Sequence, residues 1–270
     1  MILVNGEESS TLDALDRGLA YGDGIFRTFL LRDSKAVAWT RQYAKIVSDC
    51  ARLGLQAPSR AALEADLAHI AADSPDCVVK IIVTRGSGLR GYAIPGLAQV
   101  RTVAISSPLP IYPHNHTEQG ICARVCDLRL ARQPVLAGIK HLNRLENVLA
   151  RSEWNDPLIA EGILLDVADK VIGGTMSNLF MVRGNTLLTP CLSASGISGV
   201  TRERILAAAP ALGLKTGIGE FELKDLYAAD AVILCNSVIG IWQIRALAHQ
   251  HWQPHPYTQI IRKLLEQDID

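Results

Sequence analysis

The segment Ser107-Pro108-Leu109-Pro110-Ile111-Tyr112-Pro113-His114-Asn115 limits the folds open to this chain more than any other stretch. Each proline fixes φ, removes a backbone donor and pushes the preceding residue toward extended backbone, so no helix crosses it. A chain of 270 residues is long enough for two modest domains. The expected division is a smaller N-terminal α/β domain at 1–107, a linker at 108–116 and a larger C-terminal domain at 117–270. Apolar residues make up 49% of the chain, ample for a core in each.

Patterning fills in the elements. Residues 1–40 read as short strands broken at Tyr21-Gly22-Asp23-Gly24. A helix is expected over Arg41–Leu53, and a second from Ser59, with Leu63, Leu67 and Ile70 on one face. Strands are expected at Cys77–Thr84 and Val100–Ser106, then at Gly120–Leu128, Gly162–Val167, Asn178–Arg183, Thr186–Thr189 and Ala231–Asn236. Helices are expected over Leu142–Glu153, Val200–Leu212 and Pro256–Glu266. Helices and strands mixed in this way define an α+β fold.

Charge and composition narrow the function. The 27 basic and 27 acidic residues cancel and form no long block of one sign, which argues against a nucleic-acid partner. No apolar run approaches the roughly 18 residues of a membrane helix, and Met1–Glu7 lacks the pattern of a signal peptide. A cytoplasmic protein with a small-molecule substrate is expected. The cysteines at 50, 77, 122, 126, 191 and 235 have no zinc-knuckle spacing and read as reduced, mostly buried thiols. His249, His251 and His255 have no acidic or cysteine partner nearby, so no metal site is assigned.

Three segments carry chemistry. Lys140 follows a short apolar run and precedes an expected helix, where burial can turn an ammonium into a nucleophilic amine that captures an aldehyde. The same placement also suits an ordinary lysine at a helix start. Gly86-Ser87-Gly88-Leu89-Arg90-Gly91 matches a dinucleotide fingerprint, but Tyr92-Ala93-Ile94-Pro95 continues it without the required helix. Its glycines are expected to shape a loop that presents Arg90 and Tyr92, the arginine suited to a carboxylate. Ser198-Gly199-Val200-Thr201-Arg202 suits an anion cup at a helix N-terminus, or equally a plain helix start. Asn236-Ser237, at the end of an apolar strand, could close the same cup.

Taken in order, these pieces resemble the fold-type IV pyridoxal-phosphate enzymes and, within them, the aminodeoxychorismate lyase family. The resemblance rests on 16–24, 85–92, 136–151, Ser177-Asn178-Leu179-Phe180, 196–202 and Cys235-Asn236-Ser237. It covers nearly the whole chain, and His141-Leu142-Asn143-Arg144-Leu145-Glu146 is its most lyase-like part. The resemblance implies a two-domain architecture like that of D-amino-acid aminotransferase, with the cofactor on the C-terminal domain. It implies that Lys140 is the catalytic residue, joined to pyridoxal 5'-phosphate as a Schiff base. Lys45, Ser177, Asn178, Gly199, Val200, Thr201, Asn236 and Ser237 would bind the cofactor, and Arg90 with Tyr92 the substrate. It further implies a homodimer, and conversion of 4-amino-4-deoxychorismate to 4-aminobenzoate and pyruvate.

Three positions depart from the family's pattern. Gly173 stands where a glutamate contacts the pyridine nitrogen, Lys45 where an arginine binds phosphate, and Arg27 where many members carry glutamate. Lys45 keeps the charge without the planar fork. Gly173 removes a group that strengthens the cofactor as an electron sink. Two other readings follow: an amino-acid aminotransferase of the same fold, and a family member that binds a ligand or partner without turnover.

Overall fold

The computed structural model describes residues 1–96 and 99–267. The described chain divides into two compact units, one holding 1–110 with Lys140–Asn143, the other 111–139 with 144–267.

The first unit is a six-stranded antiparallel sheet covered by helices. It contains β1 (Ile2–Val4), β2 (Glu7–Glu8), the short α1 (Arg17–Tyr21), β3 (Gly24–Arg32), β4 (Lys35–Ala36), α2 (Trp39–Arg52), α3 (Arg60–Asp73), β5 (Cys77–Thr84) and β6 (Arg101–Ser107). Strand order is β2-β1-β6-β5-β3-β4. β3 and β5 pair with Ile25 opposite Val83, Arg27 opposite Ile81 and Phe29 opposite Val79, so these residues share a face. That face is buried, as are Trp39, Gln42, Ile46 and Asp49 of α2, which recur at helical spacing. Arg27 and Asp49 are thus two charged residues in apolar phases. α3 begins after Ser59, whose hydroxyl accepts the Ala62 amide at 3.1 Å.

The second unit contains α4 (His114–Glu118), β7 (Ile121–Leu130), α5 (Leu145–Arg151), β8 (Ile159–Asp166), β9 (Val171–Gly174), β10 (Asn178–Arg183), β11 (Thr186–Pro190), α6 (Val200–Ala208), β12 (Lys215–Gly219), α7 (Leu223–Tyr227), β13 (Ala231–Asn236), β14 (Gly240–Leu247), β15 (Gln250–His251) and α8 (Pro256–Gln267). Eight strands run in the order β12-β11-β10-β13-β14-β7-β8-β9, and β15 pairs with β14. β13 is apolar from Ala231 to Cys235 because both its faces are covered. Ala231, Ile233 and Cys235 pack with Ile205, Ile261 and Leu265, whereas Val232 and Leu234 pack with Leu179, Trp242 and Trp252. Burial pushes the thiols of Cys50, Cys126 and Cys235 up to about 12, so they stay protonated and pack as small apolar groups.

The expected helix over Leu142–Glu153 is shorter than its pattern. It begins at Leu145, because Lys140–Leu142 is extended and pairs with β3 instead. The expected helix from Val200 to Leu212 ends at Ala208 and tightens into a 3₁₀ turn over Ala209–Leu212, where Pro210 lacks the N–H that an α-helix would use. Among the described residues, no helix is long and apolar enough to cross a membrane.

Candidate active site

In the first unit Lys140 sits on a segment tied to β3. The Phe26 amide donates to the Lys140 carbonyl at 2.9 Å, the Leu142 amide donates to the Gly24 carbonyl at 3.0 Å, and Ile25 faces His141 in an isolated bridge. The Lys140 amide donates to Asp49 Oδ2 at 3.3 Å. Its Nζ lies 4.5 Å from the centroid of the Phe26 ring, and Lys80 Nζ lies 5.0 Å from the same ring. Lys140 is half-buried, and so is Lys45 on α2.

Arg90 and Tyr92 are exposed on a loop after β5 that forms no helix among its described residues. The loop is held by its neighbours within the unit. Arg17 donates to the carbonyls of Gly91 at 3.0 Å, Ala93 at 3.3 Å and Tyr92 at 3.4 Å. The Tyr21 hydroxyl accepts the Gly91 amide at 2.9 Å, and its ring meets that of Tyr92 edge-on with centroids 5.4 Å apart. Arg17 is itself fixed by Asp23, which also pairs with Arg85 at 2.7 Å.

Burial alone would push Asp23 up, but hydrogen bonds from Arg85 and Arg17 outweigh it and hold the carboxyl below its ordinary 3.8. A depressed folded value gives stabilisation that is complete above the unfolded value and is lost as pH falls through the folded one. Asp23→Asn should therefore speed amide exchange over 88–94 by about fivefold or more near pH 7, while β5 stays protected. In the wild-type chain the same loosening, corrected for intrinsic rates, should appear only below about pH 4. Unchanged protection of the loop in the variant would remove Asp23 from this role.

In the second unit the cup is built at one end of the sheet. Asn178 opens β10, β13 ends at Asn236, and the two strands pair with Asn178 opposite Cys235. α6 starts at Val200 after Gly199, without a side-chain cap, and its first helical bond runs from Glu203 N to the Gly199 carbonyl. The amides of Val200, Thr201 and Arg202 therefore precede the first intrahelical donor and face outward along the axis. Thr201 Oγ1 lies 3.2 Å from Ser237 Oγ, which adds two hydroxyls to the same end. Gly199 lets the backbone come close: a Cβ there would lie 2.3 Å from Asn178 Oδ1.

Ser177, Asn178 and Asn236 frame the cup. Asn178 accepts the Gly199 amide at 3.1 Å and donates to the Ile197 carbonyl at 2.7 Å. Asn236 donates to the Met176 carbonyl at 3.0 Å and accepts the Val238 and Ile239 amides, both at 2.8 Å. The Ser177 hydroxyl donates to Glu161 Oε2 at 2.8 Å. Glu161, which the sequence reading did not single out, is fully buried. Its carboxylate accepts the Gly162 amide at 2.9 Å, the Thr175 amide at 3.0 Å, the Met176 amide at 3.3 Å and the hydroxyls of Thr175 and Ser177. The preceding chain is pinned nearby, with Gly138 N donating to the Gly196 carbonyl at 2.9 Å and Ser198 N to the Gly138 carbonyl at 3.0 Å.

A family model described as Amino-transferase class IV matches residues 24–247, most of the chain. The chain belongs to that family. Aminodeoxychorismate lyase from Vibrio harveyi is 32% identical over 266 residues, covering 98% of each chain. The crystal structure of 4-amino-4-deoxychorismate lyase from Pseudomonas aeruginosa superposes with a TM-score of 0.95 at 43% identity, covering 100% of both chains. A hypothetical aminotransferase from Mycobacterium tuberculosis, solved in a PLP-bound form, has a TM-score of 0.86 at 19% identity over 100% of this chain and 98% of its own, a likeness in fold. The chain is thus a fold-type IV enzyme, and enzymes of this family depend on pyridoxal phosphate.

The residues present fit that cofactor at its phosphate end. Outward helix amides, paired hydroxyls and a glycine approach that a Cβ would fill form an anion cradle. Gly173, where the resemblance puts a glutamate, lies in a tightly closed backbone. A Cβ there would lie 2.8 Å from the Ser177 carbonyl oxygen, the same oxygen that accepts the Gly174 amide at 2.8 Å. A side chain at 173 requires the 174–177 turn to move.

Proposed function

We propose that this chain is a lyase that converts 4-amino-4-deoxychorismate into 4-aminobenzoate and pyruvate. One observation carries the reading: two relatives named for that lyase match this chain over essentially its whole length and theirs, at 32% and 43% identity. Pyridoxal phosphate, when bound, supplies an aldehyde for the amine and an electron-withdrawing ring. Lys140 would hold the cofactor through its ε-amine and give up that place to the substrate amine. The freed Lys140 amine then takes the proton from the substrate carbon that bears the amine. It returns a proton as the enolpyruvyl oxygen departs, the ring becomes aromatic and the three-carbon fragment is released as pyruvate.

The amides of Val200 and Thr201, with the hydroxyls of Thr201 and Ser237, are the groups proposed to hold the phosphate. Ser177, Asn178, Gly199 and Asn236 give that cup its shape, and Lys45 adds a cation for the phosphate. Arg90 and Tyr92, on their exposed loop, are proposed to meet the substrate, the guanidinium taking a carboxylate. The proposed setting is a cytoplasmic homodimer. In support, Leu145, Val148 and Leu149 form an exposed apolar stripe at i, i+3 and i+4 on α5.

The protein incubated with pyridoxal phosphate and aminodeoxychorismate should release pyruvate and 4-aminobenzoate in equal amounts. If no pyruvate forms and amino-acid donors yield 2-oxo acids instead, the chain is an aminotransferase. No turnover of either kind, with no visible absorption from bound cofactor, leaves a binding protein and overturns the reading.

A further inference from the structure

Arg27 and Asp49 form an ion pair in which both side chains are almost wholly buried, at 3% and 0% exposure. They lie between β3 and α2, the elements next to the segment that carries Lys140. The carboxylate is shared. Asp49 Oδ2 accepts the guanidinium of Arg27 and also the backbone amide of Lys140 at 3.3 Å. Among the described residues, Asp49 Oδ1 and Arg27 Nε have no hydrogen-bond partner, so the pair is not a self-contained polar network.

A buried pair that leaves two polar atoms unpaired is poor support for stability, because desolvation offsets its attraction. Its geometry suits another purpose. Lys140 is held on one side by the Phe26 amide, which donates to its carbonyl, and on the other by Asp49, which accepts its own amide. The two bonds act on adjacent peptide groups and restrict the torsions from which the Lys140 side chain departs. Arg27 neutralises the carboxylate, which allows an anion to stand in the core beneath that backbone.

We propose that Arg27 and Asp49 are positioning residues, a clamp that fixes the backbone of Lys140 so that its amine reaches the aldehyde without prior reorganisation. The role rests on the assignment of Lys140 as the aldehyde-capturing lysine. It gives a physical reason for arginine at 27, where many family members carry glutamate: two carboxylates could not share this pocket uncompensated.

The test uses hydrogen exchange on the cofactor-free protein and the rate at which a borohydride-reducible pyridoxal-phosphate adduct forms at Lys140. In the wild-type chain the Lys140 amide should exchange as slowly as the β3 amides that pair with β5. Arg27→Met combined with Asp49→Ala removes both charges and the acceptor. Exchange over 139–142 should then rise about tenfold, and adduct formation should slow about tenfold, with β5 unchanged. Arg27→Met combined with Asp49→Asn keeps an oxygen for the Lys140 amide and should restore both rates to within about threefold of wild type.

A folded Ala-bearing double variant with wild-type exchange and capture overturns the clamp, as does an Asn-bearing variant no better than the Ala-bearing one. If the Ala-bearing variant does not fold, fast exchange of the Lys140 amide in the wild-type chain overturns it, and slow exchange with rescue by asparagine supports it. Failure of the wild-type chain to form any adduct at Lys140 removes the functional assignment instead, and the exchange measurements still decide the clamp.

Discussion

Lys140→Ala is expected to abolish covalent retention of pyridoxal phosphate and to lower turnover by roughly four orders of magnitude. Proton transfer by a positioned side chain is worth about 10²–10⁴, and loss of covalent attachment adds to it. The variant should fold normally, because the bonds that hold the segment use the Lys140 backbone and alanine keeps them. The informative control is Lys80, whose amine lies over the same Phe26 ring, 5.0 Å from its centroid against 4.5 Å for Lys140. Lys80→Met should still form the borohydride-reducible adduct, with peptide mapping placing it on Lys140. An adduct that persists in Lys140→Ala and vanishes in Lys80→Met would transfer the role to the neighbouring strand.

The two lysines show what one sequence reveals and what it hides. Lys140 was singled out by its setting before an expected helix, yet the helix starts at Leu145 and the lysine lies on an extended segment. The extension comes from pairing with β3, more than a hundred residues away in sequence, which no local period encodes. Strands filled by branched apolar residues were legible to the residue. Cys77–Thr84, Asn178–Arg183 and Ala231–Asn236 have their expected bounds because burial on one or both faces imposes the pattern directly. β9, four residues with two glycines, carries no such signal, and its place depends on β8.

The same distinction runs through the site. The start of α6 was legible because a glycine before a helix start leaves its mark within five residues. Asp49 and Glu161 were not, because their partners come from elsewhere in the chain: Asp49 from Arg27 and from Lys140, 91 residues away, and Glu161 from the turn 14–16 residues later. A partial signal existed. Arg27 falls in the inward phase of β3 between Ile25 and Phe29, and Asp49 falls in the buried stripe of α2. A basic and an acidic residue in apolar phases of neighbouring elements are a readable sign of a buried pair. At Gly173 the sequence showed only a missing carboxylate, whereas the structure shows a backbone closed against the Ser177 carbonyl.

Glu161→Ala should destabilise the second unit by about 3–4 kcal/mol, because hydrogen bonds to a buried charged acceptor are each worth about 1.5–3 kcal/mol and relaxation recovers part of the sum. The mutation strips an acceptor from the Met176 amide and from two hydroxyls, all in one turn, and leaves the Thr175 amide its bond to the Gly162 carbonyl. That turn leads directly into Asn178, which fixes Gly199 and so the start of α6. Loss should therefore spread: amide exchange should rise over 174–178 and then over 197–201, and the affinity for inorganic phosphate or pyridoxal phosphate should fall with it. Glu161→Gln separates charge from shape. It keeps one acceptor oxygen but turns an NH2 group toward donors, and should cost about 2 kcal/mol, between wild type and alanine. A Glu161→Ala protein that unfolds within about 2 °C of wild type, or that loosens the turn while 197–201 stays protected, would disconnect the buried carboxylate from the cup.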